Sequence, residues 1–227
     1  MQYVGSKRRI AKKILEHIEA VRKPNQLYVE PFMGGCNMLD KVSGRRWGND
    51  SHFHLVSLFE AIRDGWHPPH EVTKEDYYYC KSHSHELMPA AVGFVGFSCS
   101  FGVKWWGGFA SNKEGRNYAR TGRNSLLKQA PLLEGVRFTN NKYHELNLTE
   151  SCLIYCDPPY AGVTQYADKF DSDAFWIWAK QKASEGHTVF VSEYNAPDGV
   201  ECIDEFPLTS TLNKNAKDKK IEKLFRL

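Results

Sequence analysis

The stretch Leu153-Ile154-Tyr155-Cys156-Asp157-Pro158-Pro159-Tyr160 constrains this chain most, because four apolar residues end abruptly in an acid, two prolines and an aromatic ring. An unbroken apolar run is the pattern of a strand covered on both faces, and the prolines forbid both further pairing and an immediate helix. The stretch therefore reads as a central parallel strand feeding a rigid loop, with the Asp157 carboxylate left at the carboxyl end. In open α/β sheets that edge is where ligands bind. A carboxylate accepts hydrogen bonds from an amine, and a neighbouring ring stacks on a planar base. The competing reading is a simple Asp-Pro-Pro turn.

With 227 residues, 41% hydrophobic and 25% charged, the chain can form one full core plus an elaboration. No run approaches the roughly 18 apolar residues of a membrane span, and residues 1–7 lack the apolar core of a signal peptide. The cytoplasm is the expected location, and the six scattered cysteines are expected to stay reduced. The net charge of +3 is unevenly spread. Lys104, Lys113, Arg116, Arg120, Arg123 and Lys128 face a single acid, Glu114, within one stretch, and Lys7, Arg8, Arg9, Lys12 and Lys13 crowd the start of an amphipathic helix with Ile10, Ile14, Leu15 and Ile18 inward. Each run is either a binding face or a solvated surface.

A second unit lies early in the chain. A strand over 27–30 is followed by Pro31-Phe32-Met33-Gly34-Gly35-Cys36 and an expected helix over about 37–42, whose positive amino end would face a ligand. The next strand, over 45–49, ends in Asp50, sixteen residues past Gly34. In nucleotide-binding α/β folds an acid at this place accepts hydrogen bonds from ribose hydroxyls. Asp50 could equally cap the following helix, over 52–62.

Taken in order, Tyr3-Val4-Gly5-Ser6-Lys7, then Glu30-Pro31-Phe32-Met33-Gly34-Gly35, then Asp157-Pro158-Pro159-Tyr160 resemble the motifs of the Dam-like, alpha-group adenine-specific DNA methyltransferases. One departure is Cys36, where many relatives have a third glycine; if that position needs φ > 0, the loop is strained. The resemblance implies an α/β, Rossmann-like methyltransferase sheet with an inserted, mostly helical or irregular DNA target-recognition region. Residues 1–62 and 132–227 would form the catalytic domain and 63–131 the insert. It implies S-adenosylmethionine as cofactor, walled by Phe32 and Gly34, with Asp50 on the ribose and Tyr3, Lys7 and Asp157 nearby. It also implies double-stranded DNA as partner and a monomer, with neither metal nor membrane. Asp157 and the Pro158 carbonyl would each accept a proton bond from the 6-amino group of a flipped adenine, and Tyr160 would stack on the base. Two alternatives stay open: methylation of the 4-amino group of cytosine, and a catalytically silent DNA-binding relative.

The insert carries clustered aromatics and glycines, including Trp105-Trp106-Gly107-Gly108-Phe109, directly before the basic stretch. Aromatics interleaved with cations supply stacking and phosphate contact, so Lys104, Arg116, Arg120 and Arg123 are the candidate DNA contacts. Cys80, His83, His85 and Cys99 raise zinc, but their spacing matches no standard structural pattern. Further strands are expected over 135–139, 187–192, 202–206 and 221–227. A helix is expected over 172–185, with Phe175, Trp176, Trp178 and Ala179 inward and Gly186 as its stop. The basic run at 214–220 reads as a solvated turn.

Overall fold

The computed structural model describes residues 1–159, 170–207 and 221–227. Tyr160 and the basic run at 214–220 lie outside the described residues. The strands are β1 (Tyr28–Glu30), β2 (Arg46–Asn49), β3 (Arg137–Thr139), β4 (Leu153–Cys156), β5 (Thr188–Glu193), β6 (Glu201–Pro207) and β7 (Ile221–Arg226). Among the described residues they form one seven-stranded sheet in the order β3-β2-β1-β4-β5-β7-β6. β1 to β5 run parallel, and β7 inserts antiparallel between β5 and β6. The helices are α1 (Ala11–Glu19), α2 (Phe53–Arg63), α3 (Lys74–Ser82), α4 (Pro89–Ser98), α5 (Tyr118–Gln129) and α6 (Ser172–Ser184).

The apolar run at 153–156 is covered on both faces, as its lack of alternation requires. Leu153 and Tyr155 join the core that holds Ile14 and Ile18 of α1, whereas Ile154 and Cys156 join the core under Phe175, Trp176, Trp178 and Ala179 of α6. Period-two alternation sends successive side chains to opposite layers. α1 keeps the expected stripe, with Ala11, Ile14 and Ile18 buried and Ile10 and Leu15 half-buried. Helix α6 stops just before Gly186, whose φ of 90° no ordinary residue adopts cheaply.

Everything from α2 to α5 lies between β2 and β3, and the helical character expected of the insert is present. Its core is not separate. Tyr77, Val92, Phe94, Leu126 and α2's Leu58 belong to the same buried cluster as Ile14 and Tyr28. The closest approach is between α4 and α2, where a Cβ on Gly93 would sit 2.1 Å from the His54 carbonyl oxygen. One turn on, Gly96 leaves room for the Trp105 ring, 2.3 Å from where its Cβ would be.

Two expectations are corrected. The helix expected over 37–42 is only a 3-10 turn, Leu39–Lys41. Gly34 and Cys36 take left-handed φ values of 46° and 53°, which coil the loop away from a helical path, and the Lys41 ammonium donates to the Asn37 carbonyl oxygen at 2.6 Å. A single turn offers no useful dipole to a ligand. Lys7, read with the basic run before α1, is not on the surface: it is 5% exposed, on a short 3-10 turn (Lys7–Arg9) that precedes α1.

Candidate active site

Strands β2 and β3 are laid down to one side of β1, and β5 to the far side of β4, so the order reverses between β1 and β4. A crevice opens at such a switch point, beyond the carboxyl ends of the strands. The register pairs Val29 with Ile154, which carries Pro31-Phe32 and Asp157-Pro158 out of the sheet at the same edge. The fold thus places the second and third sequence motifs side by side.

The first motif reaches them through Lys7. Gly5, at φ 74°, turns the chain; Ser6 caps the 3-10 turn by accepting from the Arg8 amide at 3.3 Å; and the Lys7 side chain is driven inward. Its ammonium lies 2.6 Å from Asp157 Oδ1, 3.1 Å from the Gly5 carbonyl oxygen and 3.5 Å from Glu222 Oε1. Burial pulls the ammonium's pKa down, but the Asp157 and Glu222 carboxylates outweigh it and hold the group above its ordinary value. Lys7 therefore stays charged.

Tyr3 lies across the glycine loop. A Cβ on Gly34 would stand 2.8 Å from its ring, and one on Gly35 2.7 Å from its Cβ, so both positions exclude side chains while Tyr3 is seated. The ring also meets Phe97 of α4 at 5.7 Å. Cys36 does occupy a positive-φ position and is fully buried, so the thiol fits at the cost of a left-handed backbone.

Asp50 Oδ2 accepts from the Gly34 amide and Oδ1 from the His52 amide, each at 3.0 Å. It remains partly exposed. Burial pushes its carboxyl up to about 6, against the downward pull of the two amides. The capping alternative is overturned: α2 is capped by His52, whose Nδ1 accepts from the Leu55 amide at 3.3 Å. Burial and the adjacent His54 lower the His52 pKa to about 4, which keeps the ring neutral and Nδ1 able to accept.

Phe32 leaves the loop on the α6 side, half-buried among Tyr143, Phe175 and Phe170 at ring separations of 5.3, 5.7 and 5.9 Å. Pro158 is buried beside Asp157, and Tyr160 lies outside the described residues.

Three residues of this region escaped sequence reasoning. Gln129, at the end of α5 and 4% exposed, donates its amide to the carbonyls of Gly35 and Cys36 at 3.1 and 3.0 Å and to Asp40 Oδ2 at 2.9 Å, clamping the glycine loop. Asn49 joins the loops after β1 and β3, donating to the carbonyls of Pro31 and Asn141. Glu222 sits in β7, where alternation leads one to expect an inward apolar residue; a buried acid there was the only available signal.

On the insert, Lys104, Arg116 and Arg120 are exposed. The Arg116 guanidinium lies 5.1 Å over the Tyr118 ring, and Arg120 approaches Glu71 at 3.6 Å. Arg123 is half-buried and donates through Nε to the Pro68 carbonyl at 2.9 Å. The four residues considered for zinc do not converge. Cys80 and Cys99 are buried thiols, His83 stacks on Tyr79 at 4.2 Å, and His85 pairs with Glu86. Among the described residues, no three His, Cys, Asp or Glu side chains gather as a metal site, and no helix is long and apolar enough to cross a membrane.

Among the solved structures that resemble the chain are two methyltransferases. One is the rRNA methyltransferase AviRa from Streptomyces viridochromogenes, with a TM-score of 0.42, 10% identity, and coverage of 99% of this chain and 86% of that one. The other, SMU.472, is described as a methyltransferase complexed with SAH; the TM-score is 0.41 and the identity 12%, over 100% of this chain but 53% of that one. No curated protein matches the sequence. The sequence pattern of one family spans residues 3–197, from the segment before Lys7 through the glycine loop, residues 63–131 and the Asp-Pro-Pro loop to a few residues past β5. The acceptor of that family is adenine N6, which sets aside the cytosine alternative, and its members are enzymes, which sets aside the silent relative. The chain belongs to the D12 class N6 adenine-specific DNA methyltransferases.

Proposed function

We propose that the chain methylates the 6-amino group of an adenine flipped out of double-stranded DNA, with Asp157 and the Pro158 carbonyl accepting the amine protons. Methyl transfer from S-adenosylmethionine to adenine in DNA is the activity of the family; the residue roles are our reading. The observation that carries it is the 2.6 Å contact between Lys7 and Asp157, which fixes the acid at the switch-point edge beside the glycine loop.

The residues present suit the cofactor. Asp50 is a partly exposed carboxylate whose charged form is disfavoured by burial, and hydroxyl donors such as those of a ribose would relieve it. When bound, S-adenosylmethionine supplies an electrophilic sulfonium methyl. Asp50 binds the ribose, Gly34 and Phe32 wall the site, and Tyr3 holds the loop in shape. Lys7 acts on Asp157 rather than on the cofactor. The adenine amine is a poor nucleophile because its lone pair is delocalised into the ring. Accepting its two protons at Asp157 and Pro158 draws nitrogen toward tetrahedral geometry and aims the lone pair. S-adenosylmethionine, held by Asp50, Phe32 and Gly34, would supply the methyl group, and Asp157 is placed to take the amine proton that the nitrogen gives up.

Flipping costs a few kcal/mol. We assign Tyr160 to stacking on the extruded base and residues 63–131 to DNA recognition, with Lys104, Arg116, Arg120 and Arg123 on the phosphates. We read the enzyme as a monomer that acts in the cytoplasm. The test is Asp157→Ala. Binding of S-adenosylmethionine and DNA should stay within several-fold of wild type while turnover falls at least about a hundredfold, because the lost contact matters at the transition state. Substantial remaining turnover on plasmid DNA would refute the assignment.

A further inference from the structure

We propose that Glu222 is a positioning residue for methyl transfer, which shares the Lys7 ammonium so that Asp157 is held in place without being fully neutralised. The proposal rests on the role of Asp157 given above. Glu222 lies on β7, between β5 and β6 in the middle of one half of the sheet, and it is 1% exposed. Its neighbour on the same face, Leu224, is a core residue. A carboxylate at such a position is expensive, and hydrophobic replacement of buried ionic groups is often neutral or stabilising.

What the acid meets is the Lys7 ammonium at 3.5 Å, the same ammonium that holds Asp157 Oδ1 at 2.6 Å. Tyr155 from β4, Glu193 at the end of β5 with Tyr194 just after it, and Glu30 from β1 are further titratable groups around this cluster. Burial raises the Glu30 carboxyl well above its ordinary value, and it accepts from the Tyr28 hydroxyl at 2.9 Å.

A buried lysine paired with Asp157 alone would lower the acid's strength as an acceptor. The amine of the target needs a strong one. A second carboxylate divides the ammonium's attention and restores negative potential at Asp157, while the lysine still fixes its orientation. Glu222 thus acts on the reaction through Lys7.

The test is the pH dependence of single-turnover methylation of plasmid DNA with labelled S-adenosylmethionine. Glu222→Gln should fall about tenfold in rate at its plateau, with cofactor KM within twofold. Its acid limb should move to lower pH, because removing a negative neighbour favours ionised Asp157. Lys7→Met should move the limb the other way. The double variant should lie between the two, since the losses cancel. If Glu222→Gln does not fold, Glu222→Asp, which retracts the carboxylate by one methylene, should show the same displacement in smaller measure. An unmoved limb, with or without a loss of thermal stability, would overturn the proposal and leave Glu222 a structural residue. The two readings fail separately: an active Asp157→Ala enzyme removes the role of Asp157, whereas an inactive one beside a wild-type Glu222→Gln profile removes only that of Glu222.

Discussion

Asp50→Asn, measured across pH, tests the cofactor site most directly. The wild-type carboxyl is pushed up to about 6 in the cofactor-free fold, against 3.8 for a free aspartate. That difference corresponds to about 3 kcal/mol disfavouring the charged form. Between roughly pH 4 and 6 the unfolded state releases its proton while the folded state keeps it, so this group's contribution to stability falls as pH rises through that window. At neutral pH the fold carries an unrelieved charge that two ribose hydroxyls would satisfy. If only the ionised form binds well, the ionised fraction drops about tenfold at pH 5, and affinity for S-adenosylmethionine should weaken about tenfold between pH 7.5 and 5. Asparagine should bind more weakly at pH 7.5, by about 1–3 kcal/mol, with the pH dependence gone. It should also raise the Tm of the cofactor-free protein at pH 7 and leave it unchanged at pH 4. Isothermal titration and thermal denaturation at the two pH values read both effects. Equal cofactor affinity for the two proteins at every pH would refute the reasoning.

On the insert, neutralising Arg116 and Arg120 together should weaken binding to specific and scrambled duplexes alike and flatten the slope of log K against log salt by about 0.9 per contact. Arg123→Ala should instead lower stability more than it changes that slope, because its Nε already holds the Pro68 carbonyl; urea denaturation and fluorescence anisotropy separate the two. Gly93→Ala should destabilise the fold by about 1–3 kcal/mol or more, since the atom 2.1 Å away is a main-chain oxygen that α2 cannot retract without moving. A variant as stable as wild type in urea would show that the two helices can part without cost.

The strand ending at Asp157 was legible because an unalternated apolar run closed by two prolines has few structural solutions. The α6 stripe and its stop at Gly186 followed from helical spacing in the same way. The loop after β1 was harder. Its glycines announced close approach, but not that the close partner is Tyr3, nor that Cys36 shares the left-handed geometry and prevents a helix. Lys7 misled because a lysine within a basic run looks like its neighbours, and only the fold brings a carboxylate 150 positions away to within 2.6 Å. Gln129, Asn49 and Glu222 share that difficulty: their significance lies in partners distant in sequence, and no local period encodes it.

On the proposal that residues 63–131 read the DNA, the continuity of the buried cluster from α1 through α2 to α4 and α5 bears on how the word read could change. A recognition region with a core of its own could be exchanged between relatives as a cassette. Here any cut through residues 63–131 severs contacts that also seat Tyr3 against Phe97 and Gln129 against the glycine loop. A grafted insert would have to bring matching partners for both, or the cofactor loop would lose its shape. Diversification by point substitution in the exposed stretch between α4 and α5 avoids that penalty, and it is the evolutionary route this architecture favours.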